Sequence, residues 1–178
     1  LESCEYCNSF LSFFPTVAVI LNVETDHLDF FKDLEDIKRS FRRFAELVPA
    51  GGHVIVNADN AGARDAAQGL DAFTFGLEPG AECTAVNLRE DKGRPVFDIH
   101  VHGTFYAHAE LRVYGRHNVS NALAAASAAY VLGLPGQAVE QGLASFTGAG
   151  RRFEHKGAFQ GAEIYDDYAH HPDELHAL

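Results

Sequence analysis

The stretch TVAVILN, Thr16 to Asn22, decides how this chain is built. Val17 to Leu21 are all apolar and three of them are β-branched. A half-buried strand alternates wet and dry positions, whereas an unbroken apolar run of this length suits a parallel strand covered on both faces. The segment DLEDIKRSFRRFAELV (33–48) places Leu34, Ile37, Phe41, Phe44, Leu47 and Val48 at helical spacing behind Asp33, an N-cap residue, and PAGG stops it. HVIVN (53–57) is a second buried strand, DNAGARDAAQGL a short helix and AFTF (72–75) a third strand. Strand–helix–strand–helix–strand predicts a parallel α/β sheet flanked by helices.

The middle of the chain changes period. In RPVFDIHVH, Phe97, Ile99 and Val101 alternate with Asp98, His100 and His102; in TFYAHAELRV, Phe105, Ala107, Ala109 and Leu111 alternate with Tyr106, His108, Glu110 and Arg112. Period two with one polar face predicts a small antiparallel sheet turning at His102-Gly103-Thr104, with CTAVNLRE (83–90) as its third strand. An Ala-rich helix follows from about Asn118 to Leu132, ended by Gly133 and Pro135, then a helix in GQAVEQGLASF. FEHKGAF and AEIYDDY read as two late strands, and HHPDELHAL opens another helix.

Composition excludes several classes. Of 178 residues 47% are hydrophobic, enough for a sizeable core, and the formal net charge of −11 argues against nucleic acid or an anionic membrane as partner. No apolar run approaches the roughly 18–20 residues that span a bilayer, and Glu2 and Glu5 stand where a signal peptide would be basic. Three cysteines do not suggest a disulfide framework and favour a reducing cytoplasm. The chain starts at Leu1 and holds no methionine, so an internal piece of a longer protein is expected.

Directly after the first strand, VETDHLDFF (23–31) sets Glu24, Asp26, Asp29 and His27 where open α/β sheets place ligand groups. Carboxylates with an imidazole can hold a divalent cation, and a cation a polyphosphate; a solvated acidic loop with Asp29 or Asp33 capping the next helix is the alternative. His117, Asn118 and Asn121 cluster at a helix start, where an amide edge can read adenine, or an Asn can simply cap. Arg151 and Arg152 suit phosphate or carboxylate, or an ordinary surface. Asp166, Asp167, His170 and His171 follow a strand end, where a plain turn would also fit. Cys4-Glu5-Tyr6-Cys7 lacks the further ligands of a zinc site, and His100, His102 and His108 fit the wet face of a small sheet.

Taken in order, ESCEYCNSFL, NVETDHLDFF, GRHNVSNALAA, RRFE and DDYAHHP resemble the blocks of the Mur ligases, the ATP-dependent amino-acid ligases of peptidoglycan precursor synthesis. The resemblance covers essentially the whole chain and is nearest the alanine-adding branch. It implies residues 1–161 as the central ATP-binding domain, without its upstream phosphate loop, and 162–178 as the start of a C-terminal domain. It implies ATP and Mg2+ as cofactors, UDP-N-acetylmuramate and L-alanine as substrates, and an inactive fragment of an active parent. Glu2 and His27 would bind the metal, with His27 and Arg152 catalytic. Glu24, Asp26 and Asp29 would shape the loop. His117, Asn118 and Asn121 would read the adenine, Arg152 with Arg151 beside it the phosphates, and Asp167 the ribose, while His170 and His171 would line an interdomain closure. Relatives that carry a carbamylated lysine in the helix after D-H-x-D place it where Phe41 falls by helix phase, and the alanine-adding branch lacks it. Ser3-Cys4 departs from the Ala-Asp of many relatives. A tripeptide-adding ligase of cell-wall recycling and a non-catalytic nucleotide-binding module are the alternatives.

Overall fold

The computed structural model describes residues 3–170 and residue 175. Six strands form one sheet: β1 (Val17–Ile20), β2 (His53–Asn57), β3 (Ala72–Gly76), β4 (Cys83–Asp91), β5 (Arg94–Val101) and β6 (Thr104–Glu110), lying side by side in chain order. β1 to β4 pair in parallel; β4, β5 and β6 pair antiparallel. The expected antiparallel strands are therefore joined to the parallel ones through the β3–β4 pairing. A separate two-stranded antiparallel sheet is made by β7 (Glu154–Phe159) and β8 (Ala162–Asp166).

Helices cover the large sheet on both faces, and β2 shows why. Val54 and Val56 join a cluster with Ile20, Val23, Phe31 and Ile37, beneath α1 (Leu34–Ala45) and α2 (Ala61–Ala66). Ile55, on the opposite face, is fully buried with Phe75, Phe97, Ile99, Val119 and Leu123, under α3 (Arg116–Val131) and α4 (Gly136–Ser145). Each such side chain contributes about 1.5–3 kcal/mol by leaving water. Asp33 caps α1 by accepting the Asp36 N–H at 2.9 Å. Glu35 and Asp36 in its first turn and Arg42 and Arg43 in its last match the helix dipole. α3 presents alanines at 122, 124 and 126, small enough to bring its axis close to the strands.

Phe105 departs from the expected core. The β5–β6 register shifts between Ile99 and His100, which sets Phe105 opposite His100. Cross-strand partners share a face, so Phe105 takes the polar side and is 56% exposed. Of HHPDELHAL, where a helix was expected, only His170, which is not helical, and Leu175, which is, are among the described residues.

Candidate functional site

A cleft of about 1690 Å3 opens at the carboxyl end of β1. The loop after β1 forms one wall and the start of α3 another; residues 146–150, Arg152 and the β7–β8 hairpin complete it. Glu5, Glu24 and Asp26 make one side acidic, while Arg94, Arg112 and Arg152 line it elsewhere.

The loop after β1 is held tightly. Asn60 Oδ1 accepts the Val23 N–H (3.1 Å) and also caps α2 by accepting the Ala63 N–H (2.8 Å); its Nδ2 donates to Glu24 Oε1 at 3.3 Å. His27 adopts left-handed backbone, φ 51°, which a non-glycine residue enters at a cost of roughly 1–2 kcal/mol. Its N–H donates to Asp26 Oδ1 (2.6 Å), and its carbonyl accepts from Phe30 and Phe31 (2.9 Å each). Asp26 thus shapes the loop as expected. It also faces the imidazole: His27 Nε2 lies 3.7 Å from Asp26 Oδ2 and 3.8 Å from Glu5 Oε1.

Glu5, Asp26 and His27 each offer a ligand atom, all within 4.8 Å of one another. Among the described residues this is the one such group able to share an ion. Glu2, the expected partner of His27, lies outside the described residues. Glu5, three positions on, is the acid that reaches the imidazole, and sequence reading did not single it out. Its one local signal is the E-x-x-E spacing. It arrives through 3-10 turns over Tyr6–Ser12, interrupted by left-handed Cys7 and Asn8 (φ 54° and 58°). Phe10, buried and stacked on Phe44 at 4.8 Å, pins this segment, and the Ser40 hydroxyl bonds to Asn8 Oδ1. Asp29 accepts the Tyr6 hydroxyl at 2.8 Å, and that bond, followed by the charge of Asp29, pushes the phenol up to about 12.

On the other wall, a relay runs along the first turn of α3. Asn121 Nδ2 donates to Asn118 Oδ1 (3.3 Å), and Asn118 Nδ2 to the Tyr114 carbonyl (2.7 Å) while lying 3.1 Å from His117 Nε2. Gly115, with φ 90°, precedes the helix, so neither Asn is the N-cap. The relay leaves the Asn121 carbonyl oxygen with no hydrogen bond among the described residues. Behind the pair, an apolar pocket of about 440 Å3 runs between α3 and α4, past Ala125 and Ala129 to Leu134.

The two arginines separate. Arg152 lines the cleft, whereas Arg151 lies 3.8 Å from Asp166 and over the Tyr168 ring at 4.7 Å. Asp167 lines the cleft while accepting the Phe153 and Ala169 N–H groups (2.6 and 2.7 Å). His170 lines it too, 2.9 Å from the Tyr168 carbonyl; His171 lies outside the described residues. Phe41 also lines the cleft, edge-on to Phe10. The hairpin histidines do not converge: His108 bonds to Asp98 at 2.7 Å, His102 packs near Tyr130 and His100 near Phe105. Cys4, Cys7 and Cys83 are free thiols, and burial pushes Cys83 up to about 11.

The sequence profile of the Mur ligase middle domain matches residues 6–129. The UDP-N-acetylmuramate–L-alanine ligase of Caldanaerobacter subterraneus subsp. tengcongensis is 43% identical over 179 aligned residues, covering 99% of this chain and 39% of that protein. The chain thus spans about two fifths of the length of such curated relatives. Among solved structures, MurF from Acinetobacter baumannii superposes with a TM-score of 0.81 at 26% identity, covering 95% of this chain and 37% of that one. The UDP-N-acetylmuramate–alanine ligase MurC from Thermotoga maritima gives 0.80 at 26% identity, covering 96% and 38%.

Proposed function

Because this chain belongs to the Mur ligase family, we propose that it is the central ATP-binding part of a cytoplasmic enzyme joining L-alanine to UDP-N-acetylmuramate. The observation that carries this reading is that one cleft holds both the Glu5–Asp26–His27 group and the Asn118–Asn121 relay. The boundary between the central and C-terminal parts, placed after residue 161, falls in the turn between β7 and β8.

The donor set fits a divalent cation: two carboxylates and an imidazole gather within 4.8 Å, and among the described residues neither Glu5 nor Asp26 is ion-paired to a lysine or arginine. Glu5, Asp26 and His27 would hold Mg2+, with Glu2 as the further acid that the family pattern supplies. Imidazole is an unusual partner for magnesium and a better one for manganese. A cation held there would supply positive charge to a phosphoryl group under transfer.

The other roles belong to the chain. A carboxylate is a poor acylating agent in water, so ATP converts it to an acyl phosphate, which the alanine amine attacks as phosphate leaves. The Asn121 oxygen can accept from the exocyclic amine of adenine, with Asn118 and His117 fixing its orientation. Arg152 offers a planar fork to the phosphates, with Arg151 held in reserve by Asp166. Each Asp167 oxygen already accepts one N–H and keeps a lone pair for a ribose hydroxyl. His170 lines the side that would close over the substrates, with His171 as the second residue that the family pattern supplies there, and closure would keep water from the acyl phosphate.

The test is phosphate release from ATP by the full-length protein with Mg2+ and UDP-N-acetylmuramate, adding L-alanine or the murein tripeptide. Release driven by L-alanine is expected. Release driven only by the tripeptide would move the protein to the recycling reaction, and silence with both would remove the ligase reading.

A further inference from the structure

His27 is the central donor of the carboxylate–imidazole group, yet among the described residues no hydrogen bond orients its ring. Histidines that bind metals almost always donate their second ring N–H to a carboxylate or a carbonyl. Here Nε2 stands 3.7 and 3.8 Å from Asp26 and Glu5, beyond hydrogen-bond length, and no hydrogen bond to either ring nitrogen is present among the described residues. The backbone of His27 is fixed by three hydrogen bonds, but its χ torsions are not.

What meets the ring is Tyr6. The two ring centroids are 4.7 Å apart with a 37° tilt, and Phe30 lies edge-on to Tyr6 at 6.1 Å. Tyr6 is itself clamped at both ends. Its hydroxyl donates to Asp29 Oδ2 at 2.8 Å, and Asp29 follows His27 by two residues in the same loop. Its backbone precedes the left-handed turn at Cys7 and Asn8 that the buried Phe10 pins down.

We propose that Tyr6 is a positioning residue, a shelf held by Asp29 against which the His27 imidazole is set toward Glu5 and Asp26. This rests on the metal reading above. Two features of the arrangement are separable: the ring supplies the shelf and the hydroxyl holds it in place. Tyr6→Phe should keep most of the effect and Tyr6→Leu should lose it.

Two readouts test this on the full-length protein, with circular dichroism confirming that each variant folds. First, without any metal, the ring protons of His27, assigned by their loss in His27→Ala, should resonate upfield in NMR because they lie against an aromatic face. The displacement should persist in Tyr6→Phe and vanish in Tyr6→Leu. Second, Mn2+ binding followed by electron paramagnetic resonance should weaken about tenfold in Tyr6→Leu, the lower end of the effect of supporting residues on metal affinity, and less than about threefold in Tyr6→Phe. Normal Mn2+ affinity in Tyr6→Leu, with His27→Ala defective, would overturn the positioning role and leave the metal reading intact. Normal affinity in His27→Ala would remove the metal reading, and the NMR displacement would still report whether Tyr6 sets the ring. A His27 spectrum unchanged in Tyr6→Leu would refute the shelf itself.

Discussion

Replacing Gly62 by alanine should harm the protein although it improves a helix. Gly62 is buried in α2, and exchanging a helical glycine for alanine ordinarily gains about 1 kcal/mol. The new Cβ, however, would lie deep inside van der Waals contact of the Val23 carbonyl oxygen and 3.1 Å from both the carbonyl carbon and the Val23 Cβ. Restoring an ordinary carbon–oxygen separation requires the carbonyl to retreat by roughly 1 Å. Overpacking of this kind costs about 1–3 kcal/mol, so the net effect is a loss of about 1 kcal/mol, or roughly 2–4 °C in Tm for a domain of this size. Val23 also opens the loop that carries Glu24, Asp26 and His27, and a 1 Å misplacement at a reacting centre can cost about 100-fold. Gly142 in α4 supplies the control, because a Cβ there meets nothing within 4 Å. Gly142→Ala should raise Tm by about as much as Gly62→Ala lowers it. Thermal unfolding and phosphate release measure both effects. A Gly62→Ala protein that gains stability like Gly142→Ala, with normal turnover, would refute the close approach of α2 to the loop.

Two further outcomes are expected. The hydrogen bond to Asp98 raises the His108 pKa, with a smaller contribution from Glu110 and opposed by slight burial. Because the folded value exceeds the unfolded one, this stabilisation is fully present below about pH 6.5 and is lost as pH rises through the raised value. It is small, both groups being partly exposed. In an NMR titration Asp98→Asn should bring His108 back toward ordinary behaviour, and an unmoved midpoint would mean that Asp98 is not the cause. Asn121→Ala should lower ATP affinity about tenfold by calorimetry, the worth of one hydrogen bond of roughly 1–1.5 kcal/mol, with Tm unchanged; normal affinity would take Asn121 out of base reading.

The parts of this fold that were legible are those whose cause is local. HVIVN announces a buried strand through its unbroken apolar run, and Asp33 caps the helix it was expected to cap. Val17 to Leu21 announce a strand too, but β1 lies at the edge of the sheet and buries Ala18 and Ile20 while Val19 and Leu21 are exposed, so the expected cover on both faces is not found. The hairpin between β5 and β6 turns at His102 and Gly103, where the alternation breaks. What escaped depends on residues distant in sequence. Glu5 and Tyr6 reach His27 across more than twenty positions, through a left-handed turn at Cys7 and Asn8 that neither residue type advertises. Phe105 was assigned to the core by its alternation, but a register shift in its neighbour decides its face. Arg151 and Arg152 are indistinguishable as letters; Asp166 and Tyr168 draw only the first toward themselves.

The order of the strands also has a meaning for synthesis. Since β1 to β6 lie across the sheet in the order in which they are translated, each strand emerging from the ribosome finds its partner already present, and the sheet can grow from one edge. α1 and α2 arrive between strands and cover their face as it forms. The opposite face has to wait, because Val119 and Leu123 of α3 cover Ile55, Phe75, Phe97 and Ile99 only after all six strands exist. Between the end of β3 and the end of α3 the ribosome adds roughly 55 residues, a delay of about 3–11 s at about 5–20 residues per second. For that interval the nascent sheet carries a bare apolar face. It is the period in which a chaperone that holds extended apolar chain would act, and in which two polysome neighbours would be most prone to stick.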